Sequence, residues 1–227
     1  MILALDTATR QISLALYDGQ RVISEHTWRT AATHSVELAP QAALMLRQAG
    51  LAPAALTGLA VALGPGSYTS LRIGLGFAKG LALAHGLPLI GVPTLEIIMR
   101  AVGPIGMPAL RALALLAAGR GRAVAADYWW DGHAWLAPEA PRLLAWGDLA
   151  AEIHAPTLIC GEWEAAPPEP LRALRAVSQA TLAAPASALR RAGYLAEIGW
   201  ERLRAGQVDE TPTLAPLYAS HPDGAPA

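Results

Sequence analysis

The stretch LGPGSYTSLRIG, residues 63–74, holds the densest local pattern of the chain and decides how its first half folds. An apolar run ends at Gly-Pro-Gly and a long apolar segment to His85 follows, which predicts a strand, a tight turn and a buried helix. Gly64 and Gly66 allow backbone angles that other residues resist. Ser67 is expected to cap the helix with its hydroxyl. The free N–H groups of such a turn can hold a phosphate, or the turn can simply be well capped.

The predicted helix carries an unusual number of small residues. Three helix-interior glycines each cost about 1 kcal/mol relative to alanine, so some close packing should offset them. A helix that is apolar nearly all round is buried on more than one side. One side can pack on a sheet, and the other needs a helix of this chain or of a partner. The spacing defines two stripes, namely Gly76, Gly80 and Ala84, and Gly74, Ala78 and Ala82.

The composition limits the classes of protein. The chain has 227 residues, of which 53% are hydrophobic and 15% charged, so a sizeable core in one large or two small domains is expected. A net charge of −1 argues against this chain binding a nucleic-acid backbone by itself. A single cysteine, Cys160, excludes an internal disulfide. The N-terminus does not resemble a signal peptide and no apolar segment predicts a membrane span, so we expect a cytoplasmic protein.

Three short strands precede the first helix. Residues 2–5 are continuously apolar, residues 12–16 alternate, and Asp18-Gly19 predicts a hairpin to a return strand over 21–27. Asp6 and Thr7 end the central strand. This polar pair could face a phosphate or a metal, but turn chemistry, in which both satisfy nearby backbone N–H groups, is favoured. A weak cofactor site, with ATP as its candidate ligand, would consist of Asp6, Thr7, Gly64, Gly66 and Ser67.

A helix is predicted from Thr33 to about Ala49, with an apolar arc broader than a surface helix needs. His34 stands at its start, but Leu38 occupies the position four residues on. A helix-entry histidine is therefore favoured over a metal ligand. With a strand over 87–92 and a helix from 94 to 100, the order predicts a mixed sheet flanked by helices.

The composition changes at residues 103–108, which predicts a domain boundary. Beyond it, tryptophans crowd the chain; they could stack bases, but without interleaved basic residues a second core is favoured. The amphipathic pattern over 187–205 predicts a helix with Arg190 on its polar face, followed by an extended tail, 206–227. Between boundary and helix we expect strands over 110–117, 122–129, 133–136 and 157–160, a short helix capped by Asp148 and a Pro-rich loop over 165–170.

No motif of a known catalytic or metal centre appears, so no catalytic and no metal-ligating residue is predicted. Asp6 is the only acidic residue near the predicted turn, which leaves no carboxylate pair for acid–base chemistry. The tryptophan-rich half offers Asp127 and Asp131, without a second glycine-rich loop beside them.

The first hundred residues resemble the TsaB (YeaZ) family, which acts in making threonylcarbamoyladenosine in tRNA. The resemblance is carried by residues 2–9, by His34-Ser35, by residues 64–74, in which Ser70 replaces the usual glycine, and by residues 79–82 and 88–92. Beyond residue 100 the likeness is thin. Residues 117–120 stand where the family often has a charged cluster, and Pro216-Leu217-Tyr218 only partly matches its C-terminal motif.

The resemblance implies an actin-like, ribonuclease-H-like fold of two lobes, in α/β architecture with mixed sheets flanked by helices. We expect a first lobe over 1–103, and a second over 104–205 whose C-terminal helix can pack back on the first. It also implies a non-catalytic subunit that pairs with a catalytic TsaD-type sister and a TsaE-type ATPase, meets tRNA only through that complex, and forms a homodimer when alone. The interface would lie on the first two helices, with Leu38, Met45, Arg72, Gly74, Gly76, Lys79 and Gly80 as candidates.

Two further functions compete with this one. An actin-like or sugar-kinase-type enzyme would use Asp6, Thr7 and the Gly64 turn to hold nucleotide phosphates. A protease is disfavoured because no nucleophile–base set is present.

Overall fold

The computed structural model describes residues 1–31, 33–102, 111–163, 167–177 and 179–219, which fall into two compact units. The first unit comprises Met1–Ile97 with Arg190–Leu217, and the second comprises Ile98–Leu189 with the chain from Tyr218. This division differs from predicted lobes over 1–103 and 104–205, because the C-terminal helix and most of the tail belong to the first unit. The composition change at 103–108 lies outside the described residues.

The first unit contains one mixed sheet and the helices that cover it. Its elements are β1 (Ile2–Asp6), β2 (Gln11–Tyr17), β3 (Val22–Arg29), α1 (His34–Gln48), β4 (Gly58–Gly64), α2 (Tyr68–His85), β5 (Leu89–Pro93), α3 (Thr94–Val102), which reaches the division between the units, and the C-terminal helix, Ala192–Arg204. The strand order is β3-β2-β1-β4-β5, with β1 antiparallel to β2 and parallel to β4. The three-stranded start and both long helices were correctly predicted.

Strand β1 is buried on both faces because helices cover each side of the sheet. Leu3 and Leu5 belong to the core that contains the inner residues of α1 and α2. Ile2 and Ala4 point to the opposite face and pack against the C-terminal helix. That helix begins at Ala192, so the predicted start at residue 187 is wrong.

The second unit contains a second mixed sheet and two short helices. Its elements are β6 (Arg111–Gly119), β7 (Arg122–Trp130), β8 (Trp135–Leu136), β9 (Arg142–Ala145), α4 (Trp146–Ala151), β10 (Thr157–Glu162), α5 (Glu169–Ala176) and β11 (Ala180–Leu182); the C-terminal helix of the first unit is α6. The strand order is β11-β10-β6-β7-β8, with β9 paired to β7. The glycine-rich hairpin at 119–121 and the strands around it follow the prediction, whereas α5, β9 and β11 were not predicted. Asp148 lies inside α4 rather than at its cap, which is Ala145.

Candidate functional site

Strand β1 ends at Asp6, whose carboxylate is completely buried and ion-paired with Arg190. Arg190 Nε donates to Asp6 Oδ2 at 3.0 Å, and the backbone N–H of Ala8 donates to Asp6 Oδ1 at 2.9 Å. Both carboxylate oxygens therefore have partners within the chain. Because burying a charge is costly unless it is paired and hydrogen-bonded, Asp6 depends on this guanidinium.

The same guanidinium holds the turn that follows β1. A terminal nitrogen of Arg190 donates to Thr9 Oγ1 at 2.9 Å and to the carbonyl of Gln11 at 3.2 Å. Two residues later, the N–H of Ala192 donates to Ser13 Oγ at 2.8 Å, which anchors the start of α6 on β2. Arg190 is wholly buried, so its predicted place on the polar face of a helix is wrong.

Thr7 is fixed against the first turns of α2. Its hydroxyl donates to the carbonyl of Ser70 at 2.8 Å. Gly74, one turn further along α2, lies so close that an added Cβ would overlap Thr7 Oγ1. The side of α2 that carries Gly74, Ala78 and Ala82 is thus the side that packs onto the sheet, where Ala78 and Ala82 belong to the core.

The Gly-Pro-Gly turn is filled by other parts of the same chain. The N–H of Ser67 donates to the carbonyl of Ala8 at 2.7 Å, and a Cβ on Gly66 would overlap that same carbonyl. On the other side, the N–H of Leu217 donates to the carbonyl of Leu63 at 2.7 Å. The five residues predicted as a cofactor site come together at this end of β1, and several of their polar groups bond to other parts of the chain.

Two residues of this turn show how local geometry is satisfied. Gly64 has a φ of +116°, and a side chain there would overlap the carbonyl of Leu217. Ser67 occupies the N-cap position of α2, as predicted, but its side chain makes no capping hydrogen bond. Its hydroxyl instead accepts a hydrogen bond from Ser70 Oγ at 3.0 Å, so the predicted capping role of that hydroxyl is wrong.

Three of the seven predicted interface residues are unavailable to a partner. Leu38 and Met45 are buried in the core beneath α1, and Gly74 is buried against Thr7. They were predicted as interface residues because the apolar arcs of the first two helices were expected to be wider than the surface that one sheet can cover. In the structure the sheet covers most of that arc.

The other four predicted interface residues lie on the outer side of α2. Arg72, Gly76 and Gly80 are exposed, with Arg72 stacked over the ring of Tyr68 at 4.1 Å. Lys79 is half-buried, and its ammonium donates to the carbonyl of Pro212 at 2.9 Å in the C-terminal tail. An added Cβ at Gly76 or Gly80 would meet no atom within 4 Å.

Exposed aliphatic side chains also lie on the outer sides of α1 and α2. Leu83 on α2 is 70% exposed and Val36 on α1 is 69% exposed, values far above those of ordinary core residues. Both helices pack on the same face of the sheet, so their exposed sides face away from it together. We call this surface the outer face and define it by Val36, Leu44, Gly76, Gly80 and Leu83.

The start of α1 is held by polar contacts. His34 is buried, with Nε2 2.8 Å from the carbonyl oxygen of Thr9. Glu37 accepts hydrogen bonds from the Thr33 and Thr30 hydroxyls and from Trp28 Nε1, and these bonds hold the pKa of Glu37 below its ordinary value. Within the described ranges no group of three or more His, Cys, Asp or Glu could hold a metal ion.

Asp127 and Asp131, the two acidic residues noted in the tryptophan-rich half, are also engaged. Asp127 pairs with Arg111 at 2.7 Å and with Arg142 at 3.3 Å. Asp131 accepts hydrogen bonds from the N–H groups of Ala134 and His133, which lower the pKa of its carboxyl. Its role is to close the hairpin turn.

The tryptophans of the second unit divide into two groups, one packed against its core and one at the β7–β8 hairpin. Trp146 and Trp163 pack against the apolar core of the second unit, as the favoured interpretation expects. Trp130 and Trp135 make an edge-on pair at the β7–β8 hairpin with ring centroids 5.5 Å apart, while Trp129 is 44% exposed.

Arg190 is the functional residue that the sequence pattern missed. It stands beside a second arginine, Arg191, in a segment that reads as amphipathic, so spacing alone does not distinguish the two. The available signal was Asp6. A carboxylate that directly follows a continuously apolar strand is expected to be buried, and a buried carboxylate requires a basic partner from elsewhere in the chain.

Comparisons with known proteins place this arrangement in context. The family model described as "TsaD: tRNA N6-adenosine threonylcarbamoyltransferase" matches residues 24–141. The chain is 42% identical over 95 residues to the tRNA threonylcarbamoyladenosine biosynthesis protein TsaB of Escherichia coli (strain K12), covering 41% of this chain and 40% of that protein. It is 39% identical over 95 residues to TsaB of Bacillus subtilis (strain 168), covering 42% of each. The chain thus spans only 40–42% of the curated relatives it matches.

A solved structure extends the likeness to the whole chain. YeaZ from Pseudomonas aeruginosa superposes with a TM-score of 0.75 and 26% identity, over 96% of this chain and 98% of that one. The predicted fold class, actin-like with two lobes of mixed sheets flanked by helices, is confirmed. None of the helices in the described ranges has the length and apolar content to cross a bilayer.

Proposed function

This chain belongs to the TsaD/TsaB family, on its TsaB (YeaZ) branch, and from that premise we propose that it works in making threonylcarbamoyladenosine in tRNA. Its role is that of a non-catalytic subunit that docks, through the outer face, onto a TsaD-type sister. A TsaE-type ATPase joins the same cytoplasmic complex. Since the chain carries a net charge of −1, tRNA is bound by the assembled complex rather than by this subunit alone.

The observation that carries this proposal is the outer face itself. Val36 and Leu83 expose apolar surface on neighbouring helices, and an added Cβ on Gly76 or Gly80 would meet no atom of the described residues within 4 Å. Glycines in a helix interior destabilise it by about 1 kcal/mol each relative to alanine, yet no described neighbour requires them there. A partner helix that approaches the small stripe closely would explain both features.

The contacts at the end of β1 support a structural rather than a catalytic role. Asp6 is neutralised by Arg190, Thr7 is bonded to α2, and the turn at Gly64 is packed against the tail. Asp6, Thr7 and Ser67, which could otherwise hold a phosphate, are thus engaged in contacts with Arg190, Ser70 and Ala8 that join β1, α2 and the segment before α6. The chemistry of the complex would then reside in the sister subunit.

The direct test is binding to the TsaD-type sister from the same organism, measured by calorimetry with the full chain. Leu83→Asp places a charge on the outer face and should weaken binding at least about tenfold, which corresponds to about 1.4 kcal/mol. Val177→Asp is the matched control, since Val177 is 65% exposed in the second unit. Equal affinities of both variants and the parent chain would contradict docking through this face.

A titration with ATP and magnesium separates this role from that of an actin-like, ATP-binding enzyme. The engaged state of Asp6 and Thr7 leads us to expect no micromolar binding by the isolated chain. A micromolar dissociation constant would instead favour the enzyme. Sedimentation equilibrium of the isolated chain tests the homodimer, which we expect to use the same outer face.

A further inference from the structure

The second unit contains an open cavity of about 290 Å³ that plays no part in the proposed function. Its floor is formed by Arg111, Asp127 and Glu152, and its rim includes Trp129, Glu139 and His154. The volume lies just below the range of about 300–1,000 Å³ that holds drug-sized ligands. A single side chain of a partner is a better match to this size than a whole cofactor.

The floor is a chain of ion pairs. Arg111 Nε donates to Asp127 Oδ1 at 2.7 Å, and Arg142, next to the cavity, reaches Asp127 Oδ2 at 3.3 Å. Arg142 also makes two bonds to the carboxylate of Glu152, at 2.9 and 3.1 Å. These bonds commit both arginines to carboxylates and orient the floor rigidly. Neither guanidinium is left to attract a phosphate.

The charges around the cavity favour a cation. Arg111 and Arg142 face three carboxylates, those of Asp127, Glu139 and Glu152, so one negative charge is in surplus. Glu139 lies on the exposed rim. The hydrogen bonds and charge of Glu152, followed by the charges of Asp127 and Glu139, raise the pKa of Arg142. The surplus negative charge would attract an entering positive group at the rim.

The rim also offers an aromatic surface. Trp129 is 44% exposed, and Leu136, directly opposite it in the β7–β8 register, is 52% exposed. Cross-strand partners lie side by side on one face of a sheet, so the two form an apolar platform beside the acidic rim. An indole ring attracts a planar guanidinium through its face, and Arg is the cation most often found there.

We propose that this cavity binds an arginine side chain presented by a partner protein, with the guanidinium stacked on Trp129 and attracted by Glu139, and with neighbouring apolar residues of the partner on Leu136. The site lies in the second unit and does not rest on the outer face of the first. It would give the chain a second contact surface.

The test uses the full chain labelled with 5-fluorotryptophan and observed by fluorine NMR. The chain has 7 tryptophans, and the Trp129 resonance is assigned by its loss in Trp129→Phe. N-acetyl-arginine amide should shift this resonance saturably. The neutral isostere N-acetyl-citrulline amide should bind at least about fivefold more weakly, since it lacks the charge that the indole face attracts.

Two variants assign the charge. Glu139→Gln should weaken binding of the arginine probe by about two- to fivefold, as for an exposed ion pair. Glu169→Gln, which changes an exposed carboxylate outside the cavity lining, should leave it unchanged. The absence of a saturable shift, equal binding of citrulline, or an unaltered Glu139→Gln variant would each overturn the proposal.

A further experiment distinguishes an arginine presented by a protein partner from free arginine as the ligand. The blocked tripeptide Leu-Arg-Leu should bind at least about threefold more tightly than blocked arginine, because its leucines reach the platform. Equal affinities would overturn a protein partner. Tighter binding of adenosine monophosphate than of the arginine probe would overturn the cationic ligand and indicate base stacking on Trp129.

Discussion

The two sides of α2 carry the same kind of small residue in opposite surroundings. Gly74 on the inner side lies against Thr7, where no Cβ fits, whereas an added Cβ at Gly76 or Gly80 on the outer side would meet no atom of the described residues within 4 Å. The inner glycine is explained by close packing within the unit. The outer glycines cost helix stability without a compensating contact among the described residues, and this is the basis on which we propose a partner contact there.

The contrast extends to polar groups. On the inner side, a buried ion pair and two hydrogen bonds join Asp6, Thr7 and Thr9 to Arg190 and α2. On the outer side, Arg72 stacks on an exposed tyrosine and Lys79 reaches the tail. The polar groups on the inner side are satisfied by other groups of the same chain, so substitutions there should alter folding. Substitutions on the outer side should alter association instead.

The largest expected effect tests the inner side. Arg190→Met leaves Asp6 buried without its counter-ion, so the free energy of unfolding should fall by about 3–5 kcal/mol. Urea denaturation followed by circular dichroism measures this. Arg191→Met is the control, because Arg191 makes an exposed ion pair with Glu25 and its loss should cost about 1 kcal/mol or less. An equal loss of unfolding free energy in the two variants would contradict the claim that the buried Arg190 ion pair matters more than the exposed Arg191 ion pair.

Gly74→Ala should have the next largest effect. The added methyl must displace Thr7 and strain its hydrogen bond to Ser70, at a cost of about 1–3 kcal/mol typical of overpacking. Denaturant unfolding of the variant gives the value directly. An unchanged denaturation midpoint would mean that the contact between Gly74 and Thr7 accommodates the extra methyl group. The proposed difference between the two sides of α2 would then be wrong.

Gly80→Leu tests the outer side by association. The bulky side chain should keep a partner helix from close approach and weaken self-association or sister binding about tenfold, or about 1.4 kcal/mol. Its folding should be preserved, since an added Cβ has open space. Gly147→Leu, at an exposed helical glycine of the second unit that also has open space, is the matched control for sedimentation equilibrium. Identical association of both variants would refute the close approach.

Gly76→Ala is the counterpart of Gly74→Ala and should change stability in the opposite direction. Without a neighbouring atom to displace, the substitution should raise the free energy of unfolding by up to about 1 kcal/mol. The measurement belongs at a concentration where the chain is monomeric, so that association does not contribute. A loss of stability under those conditions would show that the outer side is packed within the chain.

Much of the first unit could be predicted because its signals are local. The apolar run before Gly64, the hairpin at Asp18-Gly19 and the helical period over residues 34–48 each encode an element through neighbouring residues. Boundaries in the second unit were harder. Helix Glu169–Ala176 begins within a Pro-rich stretch that favours a loop, and the two-residue strand Trp135–Leu136 is too short to show a period.

The candidate site was only half predictable. Asp6, Thr7, Gly64, Gly66 and Ser67 meet as expected, because strand ends in parallel register place them at one edge. The residues that fill this edge, Arg190 and Leu217, are far away along the chain. Leu38, Met45 and Gly74 were assigned to a partner surface because the apolar width of a helix does not reveal which part of it the sheet covers.

The sequence by itself determined the strands and long helices of the first hundred residues, the family it resembles and the fact that α2 is lined with small residues on two sides. Only the tertiary structure decided which stripe faces inward, that Asp6 is paired rather than open, and that Arg190 is a core residue. The physical reason is the distance along the chain over which each kind of interaction acts. Periodicity and turn chemistry depend on residues a few positions apart, whereas burial and charge pairing depend on contacts between segments up to 184 positions apart.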